Sequence, residues 1–259
     1  MVSAAAPHGP ISTWLRLGIA FVLFAVAATV LLVILLLVLP SRVARLEAGG
    51  IFARGVARPL LRVLGLRLDV VGENRVEASR PALFLINHSS TIDTLASMAL
   101  WPRRGCGIGK KEVLWIPFFG VAYALIGNLL IDRGDRASAI AAINRLVGTI
   151  HQLKLSPLMA PEGTRSHDGR VARFKKGFVH IAISSGLPCV PIVLHNAYEL
   201  WPNPGFRITP GTVRLEVLPA IDTTGWSVET IDDHVQEVRQ VFVKALGPGR
   251  DGLAMGETA

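Results

Sequence analysis

The chain has 259 residues, 51% of them hydrophobic, and a formal net charge of +8 from 27 basic and 19 acidic side chains. That length holds one large α/β domain or two small ones, either able to bury a full core. The basic residues are scattered, mostly arginine and without aromatic interleaving, which speaks against nucleic acid as a partner. Cys106 and Cys189 make neither a disulfide framework nor a metal-site spacing, so a reducing compartment is expected.

Residues 1–16 are small, polar and punctuated by Pro and Gly, and are expected to be disordered. Residues 17–39 carry no charge and are dominated by Leu, Val, Ala and Ile. As a helix rising about 1.5 Å per residue, this stretch reaches across a hydrocarbon core of ~30 Å. Arg42, Arg45, Arg54 and Arg58 follow it and only Arg16 precedes it. The positive-inside rule therefore sets the bulk of the chain on the cytoplasmic face of the cell (inner) membrane. The apolar core is too long for a cleaved signal peptide, whereas a spanning helix and one lying in a single leaflet both fit.

Residues 42–64 form a second helical segment in which Val43, Leu46, Ile51, Phe52, Val56, Leu60, Leu61 and Leu64 alternate with arginines. Gly49-Gly50 is the expected break or kink. The segment reads as an interfacial amphipathic helix with arginines reaching lipid phosphates, or as a helix packed on the domain behind it. The two readings are compatible.

Residues 65–246 alternate strand-like and helical runs. Strands are expected at 66–71, 82–86, 105–109, 128–131, 155–160, 189–194 and 212–218. Helices are expected at 94–101, 114–126, 136–153, 175–185 and 228–246. This alternation predicts an α/β fold, a mostly parallel central sheet flanked by helices. The Pro/Gly-rich residues 201–211 read as a surface loop, and 247–259 as a flexible tail.

In such sheets, sites gather at the carboxyl ends of strands. The run 82–86 leads into Asn87-His88-Ser89-Ser90-Thr91-Ile92-Asp93. His88 can act as a base, with Asp93 fixing its tautomer and stabilising the imidazolium. A capped helix start with a satisfied turn histidine accounts for the same residues. The next strand ends carry Lys110-Lys111-Glu112, Asp132-Arg133-Gly134-Asp135 and Pro161-Glu162-Gly163-Thr164-Arg165-Ser166. Cations converging on a histidine suit an anionic, phosphorylated substrate that is deprotonated at a hydroxyl. Taken singly, each has an ordinary account: a solvated lysine pair, a local Asp132–Arg133 ion pair, a turn in which Gly163 supplies positive φ. No nucleophile elbow, dinucleotide-binding glycine motif or P-loop occurs.

In order and spacing, these pieces resemble the 1-acylglycerol-3-phosphate (lysophosphatidic acid) acyltransferase family. His88 and Asp93 match its His-x4-Asp motif, Leu130-Ile131-Asp132-Arg133 its second motif, Pro161 to Ser166 its third, and Val190-Pro191-Ile192-Val193-Leu194 its fourth. Lys110-Lys111-Glu112 and Phe174-Lys175-Lys176-Gly177 fit its connecting segments. The resemblance covers residues 66–220.

It implies transfer of an acyl chain from a thioester, acyl-CoA or acyl carrier protein, to a lysophospholipid hydroxyl, giving phosphatidic acid when the acceptor is 1-acylglycerol-3-phosphate. His88 would be the general base and Asp93 its orienter. Arg133 and Arg165, with Lys110 or Lys111, would hold the acceptor phosphate, and Glu162, Gly163 and Thr164 fall in the acceptor-binding block. No metal, no resident cofactor and no acyl-enzyme are implied, and Ser89 and Ser90 serve spacing rather than attack. Residues 113–126 are apolar enough to line an acyl tunnel or dip into membrane lipid, although an ordinary buried helix accounts for most of them. Other acceptors, such as lyso-ornithine lipid or a glycolipid, fit the same blocks. A non-catalytic lipid-binding protein on this fold would lack His88 or Asp93, and both are present.

Overall fold

The computed structural model describes residues 9–117, 119–131 and 136–253, and only the backbone of residues 10, 131 and 136–140. Seven strands form one sheet: β1 (Leu66–Val71), β2 (Leu83–Ile86), β3 (Gly105–Lys110), β4 (Leu129–Ile131), β5 (Ser156–Met159), β6 (Cys189–Leu194) and β7 (Gly211–Val217). Their order is β1-β7-β6-β2-β5-β3-β4, and every pairing is parallel except β6 with β7. The expected mostly parallel α/β architecture is therefore the one observed.

The two central strands are buried on both faces, so they read as continuous apolar runs rather than alternating ones. Along β2, Leu83 and Leu85 pack into one cluster while Phe84 and Ile86 pack into the other. The first cluster is completed by α6 (Arg136–Leu153), α7 (Gly177–Ser185) and α9 (Ile231–Leu246), whose Ile231, Val235, Val238 and Phe242 recur at helical spacing. The second is completed by α4 (Ile92–Ala99), α8 (Ala197–Leu200) and the end of α2 (Arg42–Val63). A short α3 (Asn74–Ala78) connects β1 to β2. Both cysteines are buried free thiols, and burial pushes them up to about 11 and about 12.

Several elements differ from the sequence expectation. The first helix, α1, runs Pro10–Leu37, so residues 10–16, expected as disordered, are its first turns. Proline tolerates the first helical position, and the turns are tied down by Arg16, whose Nη1 donates to Val63 O at 2.7 Å. Gly49-Gly50 does not interrupt α2. Instead it is where helices close in: a Cβ on Gly49 would stand 2.7 Å from the Ile126 side chain.

Of the two compatible readings of α2, the helix packed on the domain is the one seen for four of its arginines, which bond within the protein. Arg42 donates to Gly127 O, Arg45 to Leu39 O, Arg54 to Trp101 O, and Arg58 pairs with Glu73. The helix expected at 114–126 is split at Ile116-Pro117 into a 3₁₀ turn, Lys111–Trp115, and α5 (Phe119–Ile126), because proline lacks the donor and disfavours helix in the residue before it. The tail is anchored as far as residue 253: Asp251 bridges to Val171 and pairs with Arg239.

Candidate active site

β2 ends at Ile86 and α4 begins at Ile92, and the five residues between them fold around one carboxylate. Asp93 is fully buried. Its Oδ2 accepts from Ser89 N at 2.5 Å and Ser90 N at 2.7 Å, and lies 3.0 Å from His88 Nδ1. Two of these neighbours are obligatory donors, so the network assigns the proton to Nδ1 and leaves the Nε2 lone pair as the basic site. Asp93 thus folds the turn and orients the imidazole at once, rather than capping α4. Ser90 is spent structurally, its Oγ donating to Trp201 O and accepting from Ile92 N. Asn87 clamps the turn to β6, donating to Leu194 O and accepting from Leu194 N.

The loop after β5 holds the other side of His88. Glu162 is buried, and its carboxylate accepts from His88 N at 2.9 Å and from Ala172 N at 3.2 Å. Ser166 N donates to His88 O at 2.7 Å. Both backbone groups of His88 are therefore held by residues 162–166. Gly163 has φ of +80°, the left-handed conformation its place in the turn requires. Burial pushes the Glu162 carboxyl up to about 7, against the two N–H groups that favour its charged form.

His88 lies on the wall of a cavity of about 620 Å³. Its polar lining includes Lys110, Thr164, Arg165 and His167, and its apolar lining comes largely from α1, α2, α4 and the segment 113–126. Arg165 is half-buried, and its Nε is buried without a hydrogen-bond partner among the described residues. The apolar part takes Val113, Ile116, Phe119, Ala122, Tyr123 and Ile126 from the segment expected to line a tunnel. From that same segment Leu114, Trp115 and Val121 face outward.

Of the residues singled out from sequence, the fold brings His88, Asp93, Lys110, Gly163, Thr164 and Arg165 together. Lys111 opens the 3₁₀ turn, exposed and off the cavity wall. Glu162 sits behind the histidine as a backbone brace instead of facing the cavity. Arg133 lies outside the described residues. Sequence reasoning missed the cavity lining from α1 and α2, namely Phe24, Ala28, Leu31, Phe52 and Ala53, together with Met98 and Trp101. Ordinary core packing demands the same residue types, so no local signal marks them.

A carboxylate-oriented imidazole sharing a largely apolar cavity with Lys110 and Arg165 is the apparatus of an enzyme that moves an acyl chain onto a hydroxyl. Residues 67–195 match the family model described as Acyltransferase. A 1-acyl-sn-glycerol-3-phosphate acyltransferase of Limnanthes douglasii is 35% identical over 89% of this chain and 82% of its own. That of Haemophilus influenzae is 32% identical over 80% of this chain and 85% of its own. The crystal structure of the 1-acyl-sn-glycerophosphate acyltransferase PlsC from Thermotoga maritima superposes with a TM-score of 0.74 at 25% identity, covering 91% of this chain and 95% of that one. The chain belongs to the 1-acyl-sn-glycerol-3-phosphate acyltransferase family.

Proposed function

We propose that the protein transfers a fatty acyl chain from an acyl thioester, CoA- or carrier-protein-linked, to the free hydroxyl of 1-acylglycerol-3-phosphate, giving phosphatidic acid. The observation that carries this reading is that His88, held from behind by buried Asp93, shares the wall of one largely apolar cavity with Lys110 and Arg165. His88 Nε2 takes the acceptor's hydroxyl proton as its oxygen attacks the thioester carbonyl, and the C–S bond breaks as the tetrahedral adduct collapses. The same nitrogen returns the proton to the leaving thiolate. Asp93 holds the ring and stabilises the imidazolium between these steps. Arg165 and Lys110 meet the acceptor phosphate with charge-assisted bonds, and Arg133 and Thr164 are proposed for the same group. The steps use no resident cofactor and no metal.

We further propose that α1 lies in one leaflet rather than spanning. Thr13, Ala28, Leu31 and Leu35 are buried against the domain, and Phe24 packs on Phe52 and Phe119, so α1 stays clamped from end to end. A helix that does not cross leaves its domain on the face where the chain is made, the cytoplasmic face of the inner membrane. The decisive measurement is acyl transfer to lysophosphatidate by purified His88→Ala protein. Folding and membrane binding are expected to persist while turnover falls by at least about 10²–10⁴-fold. Undiminished turnover would overturn the mechanism.

A further inference from the structure

The loop that grips His88 and carries Arg165 is itself held from behind by the C-terminal segment. Val171 N donates to Arg250 O at 2.9 Å, and Gly252 N donates to Val171 O at 3.2 Å, so residues 250–252 lie along this loop like an added strand. The Arg250 side chain donates to Gly169 O and pairs with Glu199. Beneath this contact Arg239 of α9 is 1% exposed. Its Nε donates to Ala172 O at 3.1 Å, its Nη2 donates to Val171 O at 2.8 Å, and Nη2 pairs with Asp251. One turn of polar contacts therefore runs Asp251, Arg239, the Val171 and Ala172 peptides, Glu162, and finally the His88 N–H.

A buried guanidinium needs compensation, and here its bonds go to two carbonyls of a loop and to one carboxylate from the tail. A role confined to stability would leave the choice of carbonyls arbitrary. One of the two chosen, Val171 O, belongs to the same peptide whose N–H meets the second oxygen of Glu162, and the other, Ala172 O, belongs to the next peptide. The first oxygen of Glu162 fixes the base.

We propose that Arg239 and Asp251 are positioning residues for acyl transfer. Closed by the tail, they form a clasp that sets the 162–173 loop so that His88 and Arg165 stand in register toward one acceptor. The inference rests on the acceptor-phosphate reading of Arg165 and goes beyond it. Loss of the clasp lets the loop shift as a body, which displaces the base and the phosphate cation together. The apolar wall that α1, α2, α4 and α5 give the cavity lies outside that loop, so binding of the donor's acyl chain is left unchanged.

The test compares full-length Asp251→Ala, Asp251→Glu and Arg239→Lys with the wild type. Transfer is assayed with lysophosphatidate and one acyl-CoA, normalised to folded protein. Asp251→Ala is expected to lower kcat/KM for the acceptor by about tenfold, a typical consequence of sub-ångström misplacement, with the donor KM unmoved. Asp251→Glu is expected to restore most of that loss, and Arg239→Lys to reproduce it, since an ammonium cannot bridge the two carbonyls and the carboxylate together. A fall in Tm with unchanged kinetics per folded molecule would overturn the clasp as a positioning device, as would equal loss in donor and acceptor KM. Arg165→Ala measured alongside separates the two readings. If it leaves the acceptor KM unchanged, the phosphate assignment fails. If it raises that KM while Asp251→Ala does nothing, the clasp alone fails.

Discussion

At the scale of single residues the site divides its carboxylates between two tasks. Asp93 concentrates three N–H groups on one oxygen, so replacing it by asparagine keeps the size and removes the charge that holds the imidazole tautomer. Asp93→Asn is expected to cost about 10³-fold or more in kcat with little change in either KM. A loss confined to KM would contradict the orienting role. Glu162 has the opposite problem. Burial disfavours its charge, while two backbone donors require it, and the balance lies at about 7. Its folded pKa is raised, so the linked stability is complete below the ordinary carboxylate range and is lost as pH rises through about 7. The two backbone donors thus hold the carboxylate behind the base against the burial that disfavours it. Glu162→Gln is expected to flatten Tm against pH between about pH 5 and about pH 8. It should also lower kcat by about tenfold, since one amide oxygen cannot serve two donors. An unchanged Tm slope would show that Glu162 does not titrate in this window.

At the scale of elements, α2 shows how one sequence signal can carry two meanings. Gly49-Gly50 reads as a helix breaker because glycine costs a helix about 1 kcal/mol relative to alanine. Here the missing side chain lets α2 approach Ile126 of α5 and Trp101, and that packing outweighs the propensity cost. Gly49→Val should therefore overpack the contact and destabilise by roughly 1–3 kcal/mol. Gly55→Ala in the same helix meets no atom within 4 Å and should gain roughly 0.5–1 kcal/mol. Denaturant midpoints measure both, and an equal response at the two positions would deny Gly49 its packing role. The same contrast marks what the sequence makes legible. β6 matches its expected bounds because a strand buried on both faces is one unbroken apolar run. The pairing of His88 with Asp93 is legible because both partners lie in one turn. Pro117 sits inside one long apolar run whose length suits a single helix, so the break it makes is masked and α5 starts later than the run does. Arg239 and Asp251 leave no local trace: the Ala172 and Val171 carbonyls lie 67 and 68 residues from Arg239, and Asp251 lies 12 residues on, past the end of α9. Glu162 is a sequence neighbour of Thr164 and Arg165, but the positive φ at Gly163 turns the chain between them, so Glu162 meets backbone N–H groups while Thr164 and Arg165 line the cavity.

At the scale of the whole molecule, the question is how a buried apolar cavity meets a lipid acceptor. Ile19, Val22, Val26, Val30 and Val33 follow helical spacing along the outer face of α1, and each is more than two-fifths exposed. Leu114, Trp115 and Ile116 are further exposed apolar side chains, and Ile116 is also on the cavity wall. An apolar face of this extent, unbroken by charge, is what a leaflet would cover. The 28 residues of α1 span about 42 Å at ~1.5 Å per residue, longer than a hydrocarbon core of ~30 Å, so length alone fits a spanning helix as well. The clamps at both ends of the helix favour the in-plane arrangement, and they make it testable. Ile11, in the first turn of α1, and Ser41, just beyond its last turn, are both exposed, while Cys106 and Cys189 are buried and do not compete for reagent. In protein inserted into sealed vesicles, Ile11→Cys and Ser41→Cys should both react with a membrane-impermeant thiol reagent added on the side of the catalytic domain. Protection of position 11 there, with labelling only from the opposite side, would establish a spanning helix. It would also require the Arg16 and Phe24 contacts to break on insertion, and with them the α1 wall of the cavity.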